Sequence, residues 1–380
     1  MHKQINQLRA DLMAQFPERK DVIEGSLAAI LAGEHVLLIG PPGTAKSALI
    51  RAIAQAFGAS YFERLLTKFS TPEELFGPVS LKALEQDRFT RVTSGKLPEA
   101  EFAFVDEIFK SNSAVLNSLL AIVNERVFHN DGAPVSCPLV SLFGASNELP
   151  DGRELEALFD RFLLRFDVQY LLVASNLRAI LAPGEPLVST KLTMPVLRSA
   201  QTGVMAVTVT DETVEALLSI RDACRGEGII ASDRRWKKSL KLVKASAWLA
   251  GEQSTCPEDL AILVDSLWRE PKERSKVARI VGTLSDPASM QSLEILDAAR
   301  EIATKVASLR GGDRKAYIGQ AAQAVEQFDA QQLKLAELAR SGGRRARSVI
   351  GDATAEIQGL HAEVARAVSS GLGLGLRSLR

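Results

Sequence analysis

One stretch constrains this chain more than any other: Gly40-Pro41-Pro42-Gly43-Thr44-Ala45-Lys46-Ser47, which ends the apolar run HVLLIG (35–40) and opens a helical pattern from Ala48 to Phe57. Strand, glycine-rich turn and helix in that order aim backbone N–H groups and the positive end of a helix at one point, where an anion is stabilised. A nucleoside triphosphate also needs a cation for its β and γ oxygens and a hydroxyl for magnesium, and Lys46 and Ser47 have those chemistries at the required spacing. The expected ligands are therefore ATP and Mg2+. The general pattern G-x-x-x-x-G-K-[ST] carries glycine where Ala45 stands. Because a side chain is strained at positive φ, alanine here predicts a negative φ.

A second signal lies downstream in Phe102-Ala-Phe-Val-Asp106-Glu107, an apolar run ending in two carboxylates. At the C-terminal end of a buried strand they would stand beside the phosphates, and neighbours on a strand point in different directions. Asp106 is then the candidate magnesium ligand alongside Ser47, and Glu107 the group that polarises an attacking water.

These motifs lie in residues 1–173, where apolar runs alternate with helical patterns; further runs are SYFERLL (60–66), LVSLFGASN (139–147) and FLLRFDV (162–168). Such alternation predicts an α/β domain with a parallel sheet covered on both faces. Residues 174–210, with Pro183, Gly184, Pro186 and Pro195, read as a short helix and an irregular connector. From 211 to 270 the spacing is helical, each set forming one apolar face: Val214, Leu217, Leu218; then Trp236, Leu240, Val243, Ala247; then Leu260, Leu263, Val264, Leu267. Residues 271–380 predict a coiled-coil-like bundle of three long helices, with breaks at Gly311-Gly312 and Gly342-Gly343.

Charge and cysteine content narrow the function classes. The 46 basic and 46 acidic side chains cancel, so the broad cationic field of a nucleic-acid binder is missing. Cys137, Cys224 and Cys256 form no Cys-x-x-Cys pair, which disfavours disulfides and zinc and predicts a reducing, cytoplasmic setting. The N-terminus lacks the pattern of a signal peptide, and no transmembrane segment is expected.

The loop GPPGTAKS, alanine included, resembles the G-x-P-G-x-A-K-[ST] variant of the MoxR family of AAA+ ATPases. Phe69-Ser-Thr-Pro-Glu-Glu-Leu-Phe-Gly77, Thr93-Ser-Gly-Lys-Leu-Pro-Glu-Ala100, Asn124-Glu-Arg-Val-Phe128, Ala145-Ser-Asn-Glu-Leu-Pro150 and Ser232-Asp-Arg-Arg-Trp-Lys-Lys238 resemble the RavA-type branch of that family. The resemblance covers residues 20 to about 270. It implies an AAA+ αβα sandwich, a helical lid, a homo-hexameric ring, a protein client and a von Willebrand factor A domain partner. It makes Asn147 similar to the sensor 1 amide, although a strand-end turn is the other use of such an Asn. Arg161, in Asp160-Arg161-Phe162, resembles the arginine finger that acts on a neighbour's nucleotide, with Arg165 as the alternative. Arg234 resembles the sensor 2 arginine, brought to the phosphates by lid closure, with Arg235 as the alternative. Residues 69–100, with Phe69, Phe76 and Phe89, resemble the insert that lines the upper pore. Residues 126–140 predict a β-hairpin turning at Asn130-Asp-Gly132, with His129 exposed and no lysine at its tip. A motor on nucleic acid would present cations there, so no direct nucleic-acid contact is expected. A non-hydrolysing, ATP-dependent scaffold is the other competing class.

Overall fold

The computed structural model describes residues 1–181, 188–309 and 314–372. Pro183, Gly184, Pro186 and the Gly311-Gly312 break fall outside the described residues. Five strands form one parallel sheet: β1 (His35–Ile39), β2 (Tyr61–Leu65), β3 (Phe102–Asp106), β6 (Ser141–Ser146) and β7 (Phe162–Asp167), in the order β2-β3-β6-β1-β7. The remaining pair, β4 (Val127–Asn130) and β5 (Ala133–Ser136), is an antiparallel hairpin. Asp131 and Gly132, at φ 53° and 73°, make its two-residue turn, in the left-handed geometry that suits strand twist.

Burial explains the order. Every residue of β1 and β6 is buried, as are the first four of β3 and the first five of β7, because helices cover both faces. β2 departs from the expected apolar cover. It is an edge strand whose Glu63 and Arg64 are exposed and ion-paired with Arg51 and Glu74, and charge on an edge discourages further strand pairing. The core joins strand residues such as Val36, Leu38 and Phe143 to the helices His2–Gln15, Lys20–Ala32 and Lys46–Phe57. Each large apolar side chain buried there contributes about 1.5–3 kcal/mol.

Two compact units are present, Met1–Val214 with Cys224–Val277, and Glu215–Ala223 with Ala278–Arg380. In the first, the stretch expected to be an irregular connector contains the helix Met194–Ala206. Pro195 sits in its first turn, where a missing N–H costs nothing, so this proline starts a helix. Residues 257–267 also differ from a single helix, being a 3-10 turn Pro257–Leu263 followed by the short helix Val264–Leu267. The helix Asp233–Leu249 buries Arg235, Ser239, Leu242 and Leu249, while Trp236 and Leu240 of the expected apolar stripe are half-buried. The reason is the hydrogen bonding of Arg235, described below.

The second unit contains three long helices, Pro287–Ser308, Arg314–Ser341 and Arg344–Leu372. Ala299, Val306, Ala321, Phe328, Leu335, Ile350, Ala353 and Ile357 form its core at the expected four-and-three spacing, and the chain turns at Gly342-Gly343. The side chain of Ala367, expected on the third apolar stripe, is outside the described residues.

Candidate functional site

The loop leaves β1 at Gly40, whose φ is 146° and whose N–H donates to the Ser146 carbonyl at 3.0 Å. A Cβ there would lie 2.1 Å from the Val168 carbonyl oxygen, so only glycine lets the two chains pass. Gly43 follows at φ 77°. Ala45 then precedes the helix Lys46–Phe57 at φ 62°, ψ 22°, in the left-handed region and not at the negative φ that alanine predicts. The turn into the helix takes the conformation a glycine would take, and alanine, with the smallest side chain after glycine, accepts a strain of about 1–2 kcal/mol.

A cavity of about 310 Å³ opens over this turn, lined by Gly40, the segment Pro42 to Ser47, Asp106, Glu107, Ser146 and Asn147. Pro41 does not line it, but its carbonyl accepts from Lys46 Nζ at 2.7 Å; the Gly40 carbonyl accepts at 2.9 Å and Thr44 Oγ1 at 3.3 Å. Among the described residues no carboxylate pairs with Lys46. Burial lowers its pKa, opposed by the nearby charges of Asp106 and Glu107 and reinforced by Arg19. Thr44 is buried and donates to the Pro41 carbonyl, which closes the turn.

Asp106 ends β3, and its Oδ1 accepts from the Glu107 N–H at 3.0 Å. Glu107 has left the strand at φ 53°, ψ 43°. Its Oε2 is buried and accepts no hydrogen bond; Lys110 Nζ, 3.3 Å away, is close enough for an ion pair but poorly aligned for a bond. Asn147, just past β6, stands exposed on the cavity rim. The set fits a polyphosphate with a divalent cation: an N–H-lined turn, an ammonium bonded only to carbonyls and a hydroxyl, and two carboxylates.

The arginines lie elsewhere. β7 runs parallel to β1 with Phe162 opposite His35 and Asp167 opposite Ile39, so Arg161 enters the sheet at the end away from the loop. The length of β1 separates them, about 16 Å for its five residues. Arg234 is at the same end, ion-paired through Nη2 to Asp160 Oδ2 at 2.5 Å. The resemblance to sensor 2 implies that lid closure brings Arg234 to the phosphates; in this structure the ion pair with Asp160 holds it beside Arg161. Arg235 is 3% exposed, and its guanidinium donates to the carbonyls of Asp160, Phe162, Leu163 and Ser266 at 2.8–3.0 Å. Arg165 is 2% exposed, stacked 3.8 Å over the Phe159 ring and bonded to the Trp268 and Phe159 carbonyls. Both are enclosed and occupied, whereas the side chains of Arg161 and Arg234 are 23% and 41% exposed. Burial raises the pKa of Asp160, but Arg234 and Arg235 outweigh it and hold the carboxyl below its ordinary value.

Sequence reasoning missed a latch beside the loop. Glu18, at φ 59°, accepts from the Leu172 and Val173 N–H groups and from Asn176 Nδ2 at 2.9–3.0 Å, while Arg19, largely buried, donates to the Gln169 carbonyl at 2.6 Å. No periodicity or motif marks either residue, since their partners are about 150 positions away. The insert also divides: Phe76 is fully buried and stacks on Phe128 of the hairpin at 5.5 Å between centroids, while Phe69 and Phe89 are 90% and 56% exposed. Asn130 and Asp131 side chains accept from the Arg91 and Phe89 N–H groups, pinning the hairpin to the insert, and His129 is exposed.

Residues 3–202 match the family model of MoxR domains in MoxR-vWA-beta-propeller ternary systems, and residues 212–281 match an AAA lid domain. The uncharacterized protein MJ0812 of Methanocaldococcus jannaschii is 43% identical over 298 residues, covering 77% of this chain and 80% of that protein. The chaperone MoxR1 of Mycobacterium tuberculosis is 28% identical over 153 residues, covering 39% of this chain and 40% of its own. A crystal structure of a candidate ATPase from Cytophaga hutchinsonii superposes with a TM-score of 0.62 at 18% identity, over 74% of this chain and 93% of that one, which shows the shared fold.

Proposed function

The chain belongs to the MoxR family of AAA+ ATPases, and from that premise we propose that it hydrolyses ATP in a homo-hexameric, cytoplasmic ring and uses the energy to remodel protein partners. We read it as nearest the RavA-type branch, a reading that the resemblance of the motifs quoted above supports. The observation that carries the reading is the division of charge across the sheet. Lys46, Asp106 and Glu107 surround the cavity at one end, while Arg161 and Arg234 stand about 16 Å away at the other, too far to serve the same nucleotide.

Gly40, Gly43, Thr44 and Ala45 hold the turn, and Lys46 swings from its carbonyls to the β and γ oxygens. Ser47 and Asp106 would hold Mg2+, which supplies charge neutralisation on the transferring group. Glu107 takes the proton of the attacking water, and its strained backbone and unbonded oxygen suit a base waiting for that partner. Asn147 orients the same water. Arg161 and Arg234 of one protomer stabilise charge on the nucleotide of the next.

The partner follows from the matched family, whose systems combine a MoxR domain with a von Willebrand factor A protein and a β-propeller. The exposed Phe69 and Phe89 offer an apolar contact for a protein client, and direct nucleic-acid binding is not part of this reading.

Phosphate release decides between enzyme and scaffold. Glu107→Gln should lower turnover about 10²- to 10³-fold and leave binding of a fluorescent ATP analogue intact. Equal, negligible release by wild type and variant would reject hydrolysis.

A further inference from the structure

Glu107, the proposed base, is not free to take a proton in the arrangement the structure shows. Its Oε2 is buried without a hydrogen bond, its side chain is 19% exposed, and Lys110 Nζ stands 3.3 Å from that oxygen. Water does not reach a buried oxygen, and an ammonium beside a carboxylate competes with a proton for its electron pairs. The separation suits an ion pair, yet no aligned N–H···O bond forms. Such a pair, with the lysine side chain 38% exposed, restrains the carboxylate weakly and reversibly.

Local structure explains why a lysine lies there. Glu107 leaves β3 at φ 53° and precedes the 3-10 turn Ile108–Lys110, which brings residue i+3 back over residue i. The Lys110 N–H donates to the Glu107 carbonyl at 2.8 Å, and Ser111 Oγ donates to the Ile108 carbonyl at 2.9 Å. Ile108 and Phe109 are buried and anchor the turn. The next polar side chain ties it to the insert. Asn112 Oδ1 accepts from the Val115 N–H at 3.1 Å, capping the helix Ser113–Glu125, while its Nδ2 donates to the Ser70 carbonyl at 2.8 Å. Ser70 is buried and its Oγ accepts from the Thr67 N–H at 3.0 Å, whereas its neighbour Phe69 is 90% exposed. A force on Phe69 thus has a short path to Lys110, through Ser70, Asn112 and the turn.

We propose that Lys110 is a positioning residue that holds the Glu107 carboxylate away from the attacking water, and that displacement of the insert at Phe69 withdraws it through Asn112. At rest the bond from Asn112 to Ser70 keeps the turn in its holding position. The inference rests on the hydrolytic reading proposed above and adds a brake to it. Glu107 remains the group that touches water, and Lys110 acts only through it.

The test uses the full chain. Lys110→Met keeps an apolar stem and removes the charge, and phosphate release should rise about two- to fivefold, the range a pair of this exposure can restrain. Fluorescent-nucleotide affinity should stay within about twofold, and Lys110→Arg should keep the wild-type rate. Asn112→Asp retains an oxygen to cap the helix but loses the donor to Ser70. It should raise release only where Lys110 is present, so Lys110→Met/Asn112→Asp should turn over no faster than Lys110→Met. Thermal unfolding without nucleotide reads the pair apart from turnover: Lys110→Met should lower the midpoint of wild type and not that of Glu107→Gln, which has no carboxylate to pair. A wild type that hydrolyses ATP as fast as Lys110→Met, or faster, overturns the brake and leaves hydrolysis standing. Equal midpoint shifts in the two backgrounds, or an additive rise in the double variant, overturn it as well. No phosphate from wild type or from Lys110→Met defeats the hydrolytic reading, and this inference with it.

Discussion

Ala45 and Glu107 face the same cavity from two segments, and both are non-glycine residues in the left-handed region. Strain of this kind persists where the surroundings over-determine it, and here Glu107 lies where the chain leaves β3 and Ala45 where the loop enters the helix Lys46–Phe57. The two differ in what relief would do. Ala45→Gly removes the Cβ penalty and adds chain entropy to the unfolded state, so the terms nearly cancel and thermal unfolding should shift little or rise slightly. Ala45→Val puts a branched Cβ in the same conformation and should cost about 1–3 kcal/mol, with weaker nucleotide binding because the turn would reopen. Unfolding of both variants without nucleotide checks this; a Val variant as stable as wild type would mean the turn does not need the left-handed conformation. The loop residues were legible because their types and spacing state a chemistry. The φ of Ala45 was not, because a residue type expresses a preference and the fold of the loop overrode it. Glu18 and Arg19 were illegible for another reason: their partners lie on a distant part of the chain.

At the scale of elements, the helix Asp233–Leu249 shows how one side chain can reorient a packing face. Its apolar periodicity points Trp236 and Leu240 inward, yet the buried row begins at Arg235, whose guanidinium satisfies four carbonyls around the start of β7. Lys238 and Lys241, at 2.6 and 3.0 Å from the buried Glu34, hold the next turns. Hydrophobic spacing could not show this, since it counts an arginine as an outward residue. Arg235→Ala would leave Asp160 and four carbonyls short of a donor inside the protein, a loss of about 3 kcal/mol or more. Urea unfolding should show that drop, whereas Arg234→Ala, whose side chain is 41% exposed, should change stability by no more than about 1 kcal/mol. Equal stabilities for the two variants would contradict the division into anchor and exposed arm. The helix Met194–Ala206 was hidden by a related ambiguity, because Pro195 reads equally as a loop residue and as the first turn of a helix.

At the scale of the molecule, the alternation of strands and helices announced a parallel sheet, but it could not state the order β2-β3-β6-β1-β7, and the order is what separates the two halves of the proposed reaction. With β1 beside β7, the loop and the arginines occupy opposite ends of neighbouring strands. A site shared between protomers then has a quantitative signature. Arg161→Ala subunits keep the loop but withhold Arg161 from a neighbour, and should turn over about 10³-fold more slowly; Lys46→Ala subunits have no working loop but still offer Arg161. In an equal, randomly mixed ring an intact site needs an Arg161→Ala subunit followed by a Lys46→Ala subunit, one half times one half, so about a quarter of wild-type turnover should return. The reverse junction lacks both groups, and the two like junctions remain as slow as the pure variants. Phosphate release across mixing ratios should therefore rise from near zero, peak at equal proportions and fall again, because the product of the two fractions is greatest there. A straight line between the two pure variants, measured on rings shown by sedimentation to be mixed, would mean that each protomer completes its own site.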